Sequence, residues 1–155
     1  WKGIDFSIFF QGVLKRDWMF DAGDPYFWGA GSGMWQAACF EEHMDYWTPE
    51  NTDAYYPKPY FNETKNQQAQ DAYMQKASYL RCKNIQLGYT LPTHITEKAG
   101  ISNCRIYLSC DNLFTITGLS SVYDPEAFGS YDGYGTSGKT YPLQRTISVG
   151  VNLNF

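Results

Sequence analysis

The sequence predicts an all-β fold: an antiparallel transmembrane β-barrel, of which this chain supplies four strands and two long loops. The first observation is the end of the chain. From Ile147 every second residue is large and apolar (Ile147, Val149, Val151, Leu153, Phe155), while Ser148, Gly150, Asn152 and Asn154 between them are small or polar. Side chains alternate across a strand, so this is a strand with one apolar face. The second observation is that the opposite face carries neither bulk nor charge, which suits a wet lumen better than a packed core. The third is length. A strand of about eleven residues, rising about 3.3 Å per residue and tilted by about 45°, crosses a bilayer core, whereas no apolar run here approaches the roughly 18 residues of a membrane helix.

Composition agrees. The chain has 155 residues, 43% of them hydrophobic and 18% aromatic (13 Tyr, 10 Phe, 5 Trp), yet its mean hydropathy is negative. Tyr and Trp join an apolar body to a polar tip, so that balance fits interfacial girdles and sugar- or peptide-facing loops. A formal net charge of −4 without a Lys/Arg cluster argues against nucleic acid as a partner. The chain opens at Trp1 directly into a strand pattern with no signal peptide, and is read as a piece of a longer protein or a processed chain.

The elements follow in order. Residues 3–14 form the first strand, with Ile4, Phe6, Ile8 and Phe10 on one face and Asp5, Ser7, Phe9 and Gln11 on the other; Phe9 is the one breach of the polar face. Residues 15–78 form a long loop with little period-2 order. Its many aromatic residues, Trp18, Trp28, Trp35 and Trp47 among them, supply apolar area enough to fold it on itself. Phe40, Met44 and Trp47 fall at helical spacing, which predicts one short helix ending near Thr48-Pro49. The second strand is 79–91, where Ile85, Leu87, Tyr89 and Leu91 share a face with Arg81 and Lys83, which must then lie at or beyond the headgroups. Residues 92–103 make a short connection with one helical turn before Gly100. The third strand is 104–114, with Cys104, Ile106, Leu108 and Cys110 on its apolar face and Arg105, Tyr107, Ser109 and Asp111 opposite. A loop at 117–139 leads to the last strand, 145–155.

The connections alternate long, short, long. Outer-membrane barrels have short periplasmic turns and long extracellular loops, so 15–78 and 117–139 are expected outside the cell and 92–103 in the periplasm. Four strands cannot close a barrel, since even the smallest has about eight; the chain must continue another sheet. The final strand, Ile147, Val149, Val151, Leu153 and Phe155, is read as an assembly signal at the closure seam.

Catalysis finds little support. Neither His43 nor His94 has a nucleophile placed beside it. Glu41, Glu42, His43 and Asp45 are read as a solvated helix face rather than a metal site, and Asp124-Pro125-Glu126 as a turn that points its carboxylates apart. No catalytic residue, cofactor or metal is expected. The four cysteines lack metal spacing, Cys104 and Cys110 lie roughly 20 Å apart on one strand, and all four are taken as small apolar fillers. The rival reading is a soluble β-sandwich carbohydrate-binding module, which explains the loop tryptophans but not four strands whose polar faces lack core-sized side chains.

The motifs in this order carry a resemblance. Tyr79-Leu80-Arg81-Cys82-Lys83-Asn84 with Leu87-Gly88-Tyr89-Thr90-Leu91-Pro92, then Asp111-Asn112-Leu113-Phe114-Thr115, Asp124-Pro125-Glu126, Tyr141-Pro142 and the terminal strand resemble the C-terminal end of the SusC-type TonB-dependent transporters of the Bacteroidetes outer membrane. Lys2-Gly3-Ile4-Asp5, Gln11-Gly12 and Trp47-Thr48-Pro49-Glu50-Asn51 are similar to the same family; Cys82 and Cys110 depart from it. The resemblance implies a barrel of roughly 22 strands around a plug, energised through TonB, capped by a SusD-type surface lipoprotein, inserted by the barrel-assembly machinery into the lipid bilayer, and importing oligosaccharides or peptides. The plug and TonB box are absent from these residues. Trp18, Trp28, Trp35 and Trp47 are the candidate loop contacts to substrate or lipoprotein.

Overall fold

The computed structural model describes residues 2–32, 38–60, 63–127, 141 and 143–155. Trp35 and most of the second loop lie outside them. The chain divides into two compact units, one of residues 1–14, 78–117 and 143–155 and one of 15–77 and 118–142.

The first unit is a sheet. Its strands are β1 (Ile4–Val13), the greater part of β3 (Gln75–Thr90), β4 (Asn103–Gly118) and β5 (Thr146–Asn154), in the order β1-β3-β4-β5; β2 (Asp17–Trp18) pairs with Lys76 and Gln75 and belongs to the other unit. β1 and β3 are antiparallel, as are β4 and β5. β3 and β4 reach further than alternation alone marks, to 16 residues each. Their added ends, Gln75 to Ser78 and Thr115 to Gly118, are polar or small on both faces apart from Ile116, which hides them from a pattern search.

Register stacks the apolar residues in rows. Ile4 faces Tyr89, Phe6 faces Leu87 and Ile8 faces Ile85; Ile106 faces Val151 and Leu108 faces Val149. This face is exposed, Phe6 at 60%, Leu108 at 48% and Val149 at 74%. The other face is a polar ladder. Arg105 is paired with Asp5 at 2.5 Å and donates to Gln86 Oε1 at 2.9 Å, while Asn84 Nδ2 donates to Asp111 Oδ1 at 2.7 Å. Gly150 lies opposite Tyr107, whose ring fills the space a Cβ would need. The sheet is therefore inverted relative to a soluble one, with its greasy side bare and its polar side knitted together.

One expectation is corrected. Phe9 pairs with Asn84 but Phe10 pairs with Cys82, so Lys83 is an extra residue on β3, a β-bulge. Beyond it the parity changes: Arg81 pairs with Gln11 and sits on the polar face instead of sharing one with Ile85 and Leu87. There it is 3% exposed, and its Nε donates to Thr115 Oγ1 at 2.7 Å. No headgroup position is needed for it. A second local break is Asn112, at φ 52, where the β4–β5 ladder ends and Asn112 Nδ2 donates to the Gln144 carbonyl; Asn is among the few side chains that tolerate this region.

The 92–103 connection contains the turn of helix its composition predicts, α1 (Thr93–Thr96) continued by a 3-10 turn at Glu97–Ala99 and closed by Gly100 at φ 72. The four cysteines are free thiols. Cys82 and Cys110 are buried as expected of fillers, whereas Cys39 is exposed and fills nothing.

Candidate functional site

The second unit is built on aromatic residues from both loops. Phe20, Phe27, Trp28, Tyr56, Tyr73 and Tyr123 are all buried in one cluster. Phe20 stacks on Phe27 at 4.7 Å and on Tyr123 at 4.4 Å, and Trp28 meets Tyr73 edge-on at 4.9 Å. Each ring of this size removes roughly 150 to 250 Å² from water, so a stretch with little regular secondary structure gains a core of its own.

Polar groups aim those rings. Asp24, 2% exposed, accepts from the Tyr26 and Phe27 amides at 3.0 and 2.8 Å and from the Tyr123 hydroxyl at 3.3 Å. It closes the turn that sends Phe27 and Trp28 inward and ties the first loop to the second. Burial, with Asp24 beside it, pushes the Tyr123 phenol well above its ordinary value. Gln67 spans a similar gap, accepting from the Gly23 amide at 2.7 Å and donating to the Gly31 carbonyl. Glu42 accepts from the hydroxyls of Ser120 and Ser121 at 2.5 and 2.9 Å, a second tie between the loops.

His43 is a structural residue. Its Nδ1 accepts from the Phe40 amide at 3.0 Å, so the ring is the neutral tautomer that donates from Nε2 to the Phe27 carbonyl at 3.1 Å. Gly29, at φ 55, lies against this ring; a Cβ there would stand 2.6 Å from Nδ1. The expected helix is a single 3-10 turn, Glu41–Met44. It stops because Asp45 serves the other strand of the loop: its carboxylate accepts from Asn51 Nδ2 and the Tyr55 amide, both at 3.1 Å, and the backbone then pairs Trp47 with Tyr56. Thr48 and Asn51 close a tight turn around Pro49 and Glu50. Glu42, His43 and Asp45 are thus spread among different duties while Glu41 is exposed, and no group of three or more metal-binding side chains gathers among the described residues.

Of the hollows on this unit, two are lined by candidate tryptophans. One, of about 220 Å³, is lined by Trp28, Met44, Tyr46, Tyr56, Pro57 and Gln67 among others. The other is shallower and lined by Trp47, Tyr60, Tyr73, Lys58, Lys65 and Asn66. Among the sequence-derived contacts, Trp28 is a core residue at 5% exposure whose indole donates to the Asp21 carbonyl at 3.0 Å. Trp18 is half-buried beneath the Arg16 guanidinium, 5.3 Å away. Trp47 is 38% exposed and faces a hollow. Tyr60, Lys58 and Lys65 were not signalled by sequence, since only folding brings the lysines to one ring.

No known protein-family profile matches the chain. It is 30% identical over 162 residues to TonB-dependent receptor P3 of Formosa agariphila and 28% identical over 162 residues to TonB-dependent receptor P26 of the same organism, all of this chain matching 15% and 16% of those proteins. Among solved structures it is similar to the RagAB peptide transporter, with 26% identity and a TM-score of 0.72 over 100% of this chain and 16% of that one. It is equally similar to the RagAB peptide importer in its open-open state, with 28% identity, a TM-score of 0.71 and the same coverage. The chain therefore spans about one sixth of the length of the relatives it matches.

Proposed function

From a chain that belongs to the TonB-dependent receptors of the outer membrane, we propose that these residues are a wall sector and outer loops of an active importer of nutrients, oligosaccharides or peptides, working with a SusD-type surface lipoprotein and energised through TonB by regions outside this chain. The observation that carries the reading is the inverted sheet: a bare apolar face and a hydrogen-bonded polar face on the same four strands. A soluble sandwich would cover that apolar face with a second sheet, and among the described residues there is one sheet and its apolar face is exposed. The relatives named are receptors and a transporter rather than enzymes. The similarity to a peptide transporter favours peptides over oligosaccharides.

In this reading the loop unit faces the cell exterior, contributes to the lipoprotein contact and the mouth of the substrate cavity, and presents Trp47 there. The apolar row Ile147, Val149, Val151, Leu153 and Phe155 serves recognition by the assembly machinery, so Phe155→Ala lowers the amount inserted without changing transport per molecule. The test is uptake of labelled peptides and oligosaccharides by cells lacking the full-length gene and complemented with it, and co-purification of a surface lipoprotein. Deleting residues 34–60 is expected to release the lipoprotein or abolish uptake while the barrel still assembles. Unchanged uptake together with unchanged co-purification overturns the reading.

A further inference from the structure

In the loop unit, Trp47, Tyr60 and Tyr73 line an open hollow of about 390 Å³ together with Lys58, Lys65 and Asn66. Trp47 and Tyr60 are 38% and 39% exposed. The Lys65 ammonium lies 4.3 Å from the centre of the Tyr60 ring and that of Lys58 lies 5.7 Å from it. One phenol ring therefore holds two cations, and an ammonium over an aromatic face is oriented by it without being neutralised. The described lining contains no carboxylate, in a chain whose formal net charge is −4.

We propose that this hollow is a binding site for a ligand that carries a carboxylate next to a flat or ring-shaped group: an acidic peptide or an acidic sugar oligomer. Two like charges beside one ring repel each other. An anion seated between them removes that repulsion and gains two charge-assisted contacts, while the exposed indole of Trp47 offers a stacking face of the kind that holds sugar rings and planar side chains. Asn66 adds a side-chain amide able to donate and accept. The inference rests on the import reading only in taking the ligand to be cargo; binding itself is independent of it.

The experiment uses the full-length receptor in detergent and calorimetry with four probes: tetraglutamate, tetragalacturonate, and the uncharged tetraglutamine and galactotetraose. At least one carboxylate probe is expected to bind, more weakly as salt rises, and which one binds names the source. The double variant Lys58→Gln with Lys65→Gln is expected to lose about tenfold or more in affinity, Trp47→Ala to weaken binding as well, and Lys98→Gln, in the 92–103 connection, to change nothing. A heat-modifiability gel shift checks that each barrel is intact. Binding unchanged in the double variant, no binding of either carboxylate probe, uncharged probes bound as tightly, or release of a lipoprotein as the double variant's sole effect each overturn the proposal. If calorimetry succeeds but no variant alters uptake by cells, the site stands and its ligand is not the cargo, while the import reading keeps its own test in the 34–60 deletion.

Discussion

Arg81 donates from Nε to Thr115 Oγ1 at 2.7 Å across β3 and β4, on the face from which simple alternation excludes it. The β-bulge at Lys83 causes this, and it makes a sharp prediction. Arg81→Ala leaves Thr115 short of a partner at a part-buried site, and breaking a hydrogen bond to a charged group costs about 1.5 to 3 kcal/mol. Deleting Lys83 should be worse, because it sends either Arg81 or Ile85 to the wrong face. Urea unfolding of the refolded full-length barrel in lipid, followed by gel shift, checks the order; a harmless Lys83 deletion would remove the bulge argument.

The rows of apolar residues predict a face-dependent penalty. Val149, 74% exposed and opposite Leu108, lies on the apolar face, whereas Ser148, opposite Ser109, is on the polar face. An Arg on the lipid face at mid-bilayer costs about 2 to 4 kcal/mol. Val149→Arg should therefore lower barrel stability by that amount and Ser148→Arg by much less. Equal effects in the same unfolding assay would sink the face assignment.

How much of this was legible in the sequence depends on how local the cause is. Strand faces were legible because period 2 is written residue by residue, as in Ile147, Val149 and Val151. The parity change at Lys83 was not, because a bulge is defined by its partner strand and nothing in Arg81-Cys82-Lys83-Asn84 announces it. The helix expected around Met44 failed for the same reason: Asp45 is committed to Asn51 and Tyr55, contacts that spacing cannot reveal. Aromatic content indicated that the long loop folds on itself, but not which tryptophan would be inside. Trp28 follows the Asp24 turn into the core, whereas Trp47 precedes the turn closed by Thr48 and Asn51 and stays partly exposed.

Alkaline pH should loosen the loop unit. Tyr55, Tyr56, Tyr73 and Tyr123 all have phenols pushed above the ordinary 10.0, chiefly by burial. Below pH 10 folded and unfolded chains both keep these protons, so the stabilisation is complete. Above it the unfolded chain ionises first, and stability falls as pH rises. Susceptibility of the loop to protease should increase above pH 10 while the barrel gel shift persists, and Tyr123→Phe should reduce the steepness. A pH-independent cleavage rate would contradict the buried phenol cluster.

Asp24 is the side chain on which the loop core turns. Its carboxylate serves the amides of Tyr26 and Phe27 and the Tyr123 hydroxyl at 2% exposure, so Asp24→Ala strands two buried donors and one part-buried donor at once. Each costs about 1 to 3 kcal/mol when left unsatisfied. The variant should still insert its barrel yet show a protease-sensitive loop and weakened lipoprotein contact. Asp24→Asn, which keeps an acceptor, should recover part of the loss. Wild-type protease resistance in Asp24→Ala would show that the aromatic packing holds without it.

Orientation is tested by a thiol the sequence took for filler. Cys39 is exposed in the loop unit, whereas Cys82 and Cys110 are buried in the sheet. The long, short, long alternation of connections predicts that residues 15–78 lie outside the cell and 92–103 in the periplasm. A membrane-impermeant maleimide added to intact cells should therefore label wild-type protein at Cys39 and fail to label Cys39→Ser. In the Cys39→Ser background, His94→Cys should react only after the outer membrane is permeabilised, since His94 sits in the short helical connection between β3 and β4. A bound lipoprotein that covers Cys39 would block the first reaction, so the labelling is repeated in cells lacking it. Labelling of His94→Cys in intact cells would invert the barrel, and with it the loop unit's assignment to the outer face.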